Sequence, residues 1–452
     1  MPLEHFKVTM QTISIVGLGK LGSPFLATCA SRGFNVIGLD VNSHVVDLLN
    51  QGKAPVDEPG LTQLISKNRK NLKATSDYSE TVNNSDITFI IVPTPSTKNG
   101  AFSNEYVVSA IREIGKVLAK KDKFHLIVVT STIMPKSMDV EIIPALEKAS
   151  GKRLNTGFGI CYNPEFIALG SVIDNLLNPD FVLIGESGKK SGEILENFYR
   201  KFCTNKPPIV RMNLVNAEIA KIALNSYITT KISFANTLAQ ICERVSGGDV
   251  DHVTAAIGLD KRIGSKYLKG ALPYGGPCFP RDNRAFSSFA NKVGVQASIA
   301  KATDLVNESM VAQIVKKVGK TAANKNSKIA ILGLAYKPDT DVAEESAGVK
   351  VANLLAKKSV KICAWDPKAM AKAQDLLSPK ITIAKSLKEC IKDSNLIVLT
   401  TPWDQFRHIR PSDLVSSIKK PVLLDCWRML DPLKYQKVAV YRTIGQESLK
   451  LA

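Results

Sequence analysis

No stretch of this chain is long and apolar enough to cross a bilayer. The longest candidate, around Ile87 to Val92, has the length of one strand, whereas a helical span needs about 18–20 apolar residues. The leading segment, Met1 to Met10, contains Glu4 and His5 and lacks the apolar centre of a secretory signal. A cytoplasmic location with no membrane partner is therefore expected. Paired cysteines are missing as well. Cys29, Cys161, Cys203, Cys242, Cys278, Cys363, Cys390 and Cys426 form no C-x-x-C and no Cys/His cluster at metal spacing, which argues against zinc and against a disulfide framework. Most sit in apolar surroundings and read as buried thiols. Blocks of positive charge are absent too. Sixty Lys plus Arg against 41 Asp plus Glu leave a net charge of +19, but the basic residues are scattered as pairs such as Lys120-Lys121 and Lys316-Lys317. Without a run of five or more, nucleic acid is not the expected partner, and a phosphorylated small molecule fits better.

What is present is ordinary globular composition. The 452 residues are 44% hydrophobic, 22% charged and 6% aromatic, enough for two or three domains. Thr12 to Val16 is a short apolar run ending in Gly17-Leu18-Gly19-Lys20-Leu21-Gly22; a helical pattern runs to Arg32, and a second strand, Asn35 to Leu39, ends at Asp40. Each glycine has a distinct use: Gly17 for the tight turn, Gly19 for approach of a pyrophosphate to the backbone, Gly22 for close helix–strand packing. Asp40 would accept the adenosine ribose hydroxyls and repel a 2′-phosphate, so NAD is expected rather than NADP. Further strands at 87–92, 126–130, 158–161 and 181–184 predict a doubly wound parallel sheet. Three strand ends carry Pro93-Thr94-Pro95, Ser131-Thr132 and Asn163-Pro164-Glu165, which taken singly read as turn chemistry.

From Val215 to about Arg244 the pattern predicts one long helix apolar on more than one face, with Lys221 and Asn225 one turn apart. Tyr274-Gly275-Gly276-Pro277-Cys278-Phe279-Pro280-Arg281-Asp282 then predicts a rigid loop that exposes a cysteine, either a nucleophile or an inert loop thiol. From Lys328 the strand–helix–strand–acid plan repeats, through strands 329–332 and 361–365 and Asp366, but its turn, Gly333-Leu334-Ala335-Tyr336-Lys337, is not a second dinucleotide fingerprint. Lys337 there suits a phosphate. Linkers are expected near 205–212 and 318–328.

Read together, GLGKLG with Asp40, Pro-Thr-Pro at 93–95, Ser-Thr at 131–132, NPEF at 163–166, AEIAKIALN at 217–225, DKRIG at 260–264, GGPCFPRD at 275–282 and ILGLAYKPDTD at 331–341 resemble the nucleotide-sugar dehydrogenases, the UDP-glucose and GDP-mannose dehydrogenases, over nearly the whole chain. The cysteine and DKRIG segments resemble the UDP-glucose branch more than the N-acetylhexosamine branch. The resemblance implies two Rossmann-like domains joined by a long central helix: an NAD-binding domain 1–208, a helical dimerisation domain 209–318 with the cysteine loop, and a UDP-sugar-binding domain 319–452. It implies a four-electron oxidation of the sugar C6 alcohol by two NAD and one water, through a thiohemiacetal and a thioester on Cys278. Lys221 and Asn225 would stabilise the oxyanion, Glu165 and Asp282 would move protons, and Thr132 would position the water. Thr94 and Thr132 would line the nicotinamide side. Glu165, Phe166, Ile167, Lys221, Asn225, Tyr267, Lys269, Gly275, Tyr336 and Lys337 would hold the UDP-sugar, with Arg262 reaching it from a neighbouring subunit of a homodimer or higher oligomer.

Some positions depart from the family pattern: Leu169 for Glu, Pro277 for Ser, Val342 for Asp, and Glu344 for Arg near the expected NAD. In Asp425-Cys426-Trp427-Arg428, Arg428 stands where an arginine is expected beside uridine. The same chemistry on GDP-mannose or a UDP-N-acetylhexosamine remains open, as do a two-electron NAD dehydrogenase and a non-catalytic nucleotide-binding protein.

Overall fold

The computed structural model describes residues 12–321, 327–358, 360–415 and 420–447. The leader and part of the expected 318–328 linker lie outside them. The chain divides into two compact units, 1–222 and 223–452.

The first unit is an eight-stranded sheet. Its strands are β1 (Thr12–Val16), β2 (Asn35–Leu39), β3 (Leu72–Thr75), β4 (Ile87–Ile90), β5 (His125–Val129), β6 (Phe158–Tyr162), β7 (Val182–Glu186) and β8 (Ile209–Asn213), in the order β3-β2-β1-β4-β5-β6-β7-β8. β4, β5 and β6 are buried along their full length, as strands covered by helices on both faces must be. The sheet is not wholly parallel: β7 runs antiparallel to β6, and β8 is parallel to β7. The helix between β6 and β7, Val172–Leu177, has six residues, or about 9 Å. It is too short to carry the chain back along the sheet, so β7 starts from the edge where β6 ends. The segment expected as a linker at 205–212 supplies β8; the prolines of Lys206-Pro207-Pro208 mark the turn before it.

A 29-residue helix, Leu214–Cys242, begins in the first unit and ends in the second. The second unit adds the helices Phe279–Lys292 and Ser298–Thr321 and a six-stranded parallel sheet. Its strands are β9 (Lys328–Leu332), β10 (Lys361–Trp365), β11 (Ile381–Ile383), β12 (Leu396–Leu399), β13 (Val422–Asp425) and β14 (Val440–Thr443), in the order β11-β10-β9-β12-β13-β14. Among the described residues no helix is long and apolar enough to cross a membrane.

Candidate active site

In the first unit the predicted cofactor residues meet at the carboxyl end of β1. Gly17 has φ +95°, and a Cβ there would lie 2.4 Å from the Ile91 carbonyl oxygen; one on Gly22 would lie 1.8 Å from the Gly17 oxygen. Both positions exclude a side chain. At Gly19, beside exposed Lys20 and half-buried Leu21, a Cβ would meet nothing within 4 Å, which leaves the open approach a pyrophosphate requires. Asp40 accepts from Leu18 N at 2.7 Å through Oδ2 and from Asn42 N at 2.9 Å through Oδ1. It is only half-buried, so the remaining lone pairs of its carboxylate can meet ribose hydroxyls. The residues present fit NAD.

At the neighbouring strand ends, the Thr94 hydroxyl donates to the Thr132 carbonyl at 2.7 Å, and Ser131 Oγ accepts from Val92 N at 2.9 Å. Two buried carboxylates hold the flanking loops. Glu218 accepts from Lys136 N and Met138 N at 2.7 and 2.9 Å just beyond Thr132, and burial pushes it up to about 7. Glu58 accepts from Gly170 N and Val172 N at 2.9 and 2.7 Å just beyond the NPEF segment. Leu169, in place of the family glutamate, packs with Ile167 against the apolar core. Lys221 donates to the Glu165 carbonyl at 2.7 Å and lies 4.8 Å from the centre of the Phe166 ring. Burial pushes the Glu165 carboxyl up to about 7, against the opposing effects of Tyr199 and Lys221.

In the second unit Asn225 donates to Asp282 Oδ2 at 2.6 Å. Asp282 is 2% exposed, and its other oxygen is buried without a hydrogen-bond partner, 3.8 Å from Arg281 Nε. None of the eight cysteines is in a disulfide; seven are buried and Cys278 is exposed. Cys278 occupies the residue before the helix Phe279–Lys292, with no side-chain capping bond, at an end that favours negative charge. Its loop is built against its neighbours: a Cβ on Gly275 would lie 2.3 Å from the Glu345 oxygen, and one on Gly276 2.5 Å from the Tyr336 ring. Asn307 braces the approach by pairing with both backbone groups of Tyr274, at 2.8 and 3.0 Å. Tyr336 is raised by burial and then by the nearby Cys278 and Tyr267. Tyr267, at φ +63°, stands edge-on to Phe279. Lys269 is exposed, Lys337 half-buried, and Arg262 exposed and bound to Asp260 at 2.6 Å. Glu344 is exposed, and its carbonyl accepts from Gly276 N.

Arg428 has a different job from the one expected. It is buried, with Nε and Nη2 on Asp251 at 2.7 and 2.8 Å, Nη2 also on the Gly270 carbonyl and Nη1 on that of Ile444. Four of its five N–H groups are committed to the fold. Two features escaped the sequence pattern. Gly348 lies against the Gly333 oxygen, 2.1 Å from where its Cβ would be, and so supplies the close-packing glycine that the second turn seemed to lack. The Tyr199 hydroxyl lies 3.0 Å from Glu165 Oε1, from 34 positions away.

Three models of one family match in order: the NAD binding domain of the UDP-glucose/GDP-mannose dehydrogenase family at 11–203, its central domain at 215–309 and its UDP binding domain at 330–432. The UDP-glucose 6-dehydrogenase AglM of Haloferax volcanii is 33% identical over 92% of this chain and 97% of its own length. A GDP-mannose 6-dehydrogenase of Pseudomonas putida is 34% identical over 90% and 97%. The solved UDP-glucose dehydrogenase of Pyrobaculum islandicum superposes with a TM-score of 0.89 at 31% identity, over 98% of this chain and all of that one.

Proposed function

This chain belongs to the UDP-glucose/GDP-mannose dehydrogenase family, and we propose that it oxidises C6 of UDP-glucose to the carboxylate of UDP-glucuronate. The balance is R–CH2OH + 2 NAD⁺ + H2O → R–COO⁻ + 2 NADH + 3 H⁺. NAD, when bound, accepts the hydride of each oxidation. Gly17 to Gly22 would receive its pyrophosphate and Asp40 its ribose, while Thr94 and Thr132 would line the nicotinamide side.

The observation that carries the reading is Cys278, the exposed cysteine at a helix N-terminus. Its sulfur adds to the aldehyde left by the first hydride loss, forming a C–S bond and a thiohemiacetal. Loss of the second hydride gives a thioester, and water breaks the C–S bond to release the acid and the thiol. Lys221 and Asn225 donate to the oxyanion. Glu165 and Asp282 exchange protons with the alcohol and the hydrolytic water, which Thr132 orients. Phe166, Ile167, Tyr267, Lys269, Gly275, Tyr336 and Lys337 hold the UDP-sugar.

The active form is a homodimer or higher oligomer in which Arg262 reaches a neighbour's substrate. Tyr227, Phe234 and Ile241, seven residues apart on the long helix and 64%, 55% and 52% exposed, support that reading. Light scattering that finds only monomer removes it.

NADH formed per limiting UDP-glucose, with excess NAD and with GDP-mannose and UDP-N-acetylhexosamines in parallel, tests the rest. Two NADH per UDP-glucose is the expected result. The near-equal identity to GDP-mannose 6-dehydrogenases makes two NADH per GDP-mannose the competing outcome, and one NADH per sugar rejects the thioester. Cys278→Ser abolishes acid production while NAD binding by calorimetry is unchanged.

A further inference from the structure

The Tyr199 hydroxyl stands between two acceptors. Asn163 lies at the end of β6, 2% exposed, and its Nδ2 donates to the Leu183 carbonyl at 2.8 Å. That bond fixes the amide so that Oδ1 faces Tyr199, which donates to it. The same hydroxyl lies 3.0 Å from Glu165 Oε1. Tyr199 is 3% exposed, and its ring is held edge-on by Phe198 and Phe202 at centroid distances of 5.0 and 6.0 Å. The oxygen therefore stays in place while the hydrogen can rotate about the C–O bond. A phenol carries one hydrogen, so it cannot serve Asn163 and an ionised Glu165 together.

We propose that Tyr199 is a positioning residue with two settings: its hydrogen lies on Asn163 Oδ1 while Glu165 is protonated and donates to the Tyr199 oxygen, and it swings to Glu165 when that carboxyl ionises. The swing gives a half-buried carboxylate a donor at the moment it acquires charge, and it leaves the Asn163 oxygen unmet. Asn163 thereby opposes ionisation and Tyr199 assists it. The other ionisable groups facing Glu165 are Cys29 from the helix Gly22–Ser31, Cys203 just beyond the helix Lys189–Phe202, and Lys221 from the long helix. Burial, then Glu165 itself, holds Cys29 well above the usual thiol range and Cys203 at about 12, so neither changes charge where Glu165 does.

The inference rests on the reading of Glu165 as the proton-exchanging carboxylate, and two readouts separate the two claims. The first is the titration of the Glu165 carboxyl, followed by its infrared C=O stretch in ¹³C-glutamate-labelled full-length protein and assigned by its loss in Glu165→Gln. Tyr199→Phe removes the donor to the carboxylate and raises the midpoint by roughly one pH unit; Asn163→Ala leaves the tyrosine hydrogen permanently available and lowers it by a similar amount. Should Asn163→Ala fail to fold, Asn163→Leu fills the space without an acceptor. A merely structural role for either residue does not give shifts of opposite sign, and shifts of the same sign, or none, overturn the proposal. The second readout is the pH profile of kcat/KM for NADH production. If it follows the infrared midpoints, both claims stand; if the midpoints separate while the profile stays fixed, the two-setting tyrosine stands and the catalytic role of Glu165 falls.

Discussion

The two sheets of this chain run the same plan to different ends. In each, the first strand passes into a glycine held at positive φ, Gly17 at +95° and Gly333 at +110°. A second glycine lies against the first one's carbonyl, Gly22 and Gly348, and the next strand ends in an aspartate. Asp40 takes two backbone N–H groups and stays half-open. Asp366 takes four, from Leu334, Ala335, Lys368 and Ala369 at 2.7–2.9 Å, plus Trp403 Nε1 at 3.0 Å, and is 1% exposed. The same residue at the same strand end is left open to a ligand in one sheet and closed into the fold in the other, and the cover decides which. The spacing differs too: Gly22 follows Gly17 by five positions and Gly348 follows Gly333 by fifteen. The added segment carries Tyr336 and Glu345 onto the cysteine loop.

The largest effect that would break this comparison comes from the paired glycines. Gly22→Ala and Gly348→Ala each drive a methyl into a backbone oxygen, and each is expected to lower stability by about 3 kcal/mol or more in urea unfolding. Only Gly22→Ala should also lose NAD; equal NAD loss in both would erase the distinction. Asp366→Ala strands buried donors and should cost about 3 kcal/mol with the NAD Kd unchanged, whereas Asp40→Ala should weaken NAD by about tenfold or more and relax its preference over NADP.

A pH series separates the units next. Glu165 is raised from 4.5 to about 7 by burial, so its ionisation opposes folding. The stability it confers while protonated is complete below pH 4.5 and is lost as pH rises through about 7. Glu165→Gln should therefore gain on the parent over that window, by up to about 3 kcal/mol. Asp251 behaves oppositely. Burial pushes it up, but the Arg428 hydrogen bonds outweigh burial and hold it below 3.8, so its stabilisation is present above that pH and disappears on acidification. Melting curves of Glu165→Gln and Asp251→Asn across pH 3–8 should diverge in opposite directions. The smallest effect belongs to Trp403→Phe, about 1 kcal/mol for one hydrogen bond. A dinucleotide site appearing in the second sheet of that variant would show that Trp403 alone keeps the site closed.

Much of the architecture was legible because its signals are local. β1, β2, β10 and β12 fall where apolar runs are bounded by glycine, aspartate or threonine, and the long helix ends within two residues of its apolar pattern. β8 was hidden because only Ile209-Val210 mark it and two prolines precede it. The reversal at β7 depends on the shortness of a connecting helix. The glycine fingerprint of the second sheet was missed because its parts are separated by an insertion that no fixed spacing anticipates. Of the candidate site residues, Lys221, Asn225, Cys278 and Asp282 are recoverable as motif residues, since each stands beside glycine, proline or a helical repeat. Tyr199 and Trp403 act on partners more than thirty positions away, and Arg428 looks like a ligand residue until burial and Asp251 account for its charge.

Trp403 has one consequence for timing. With the second aspartate closed off, the proposed reaction, which takes two dinucleotides, would have one Rossmann turn among the described residues open to receive them, and they would come in succession. The half-oxidised sugar would then have to persist through an interval in which reduced cofactor departs and oxidised cofactor arrives. On the proposed reading, a covalent bond to Cys278 would make that wait independent of how weakly an aldehyde is retained.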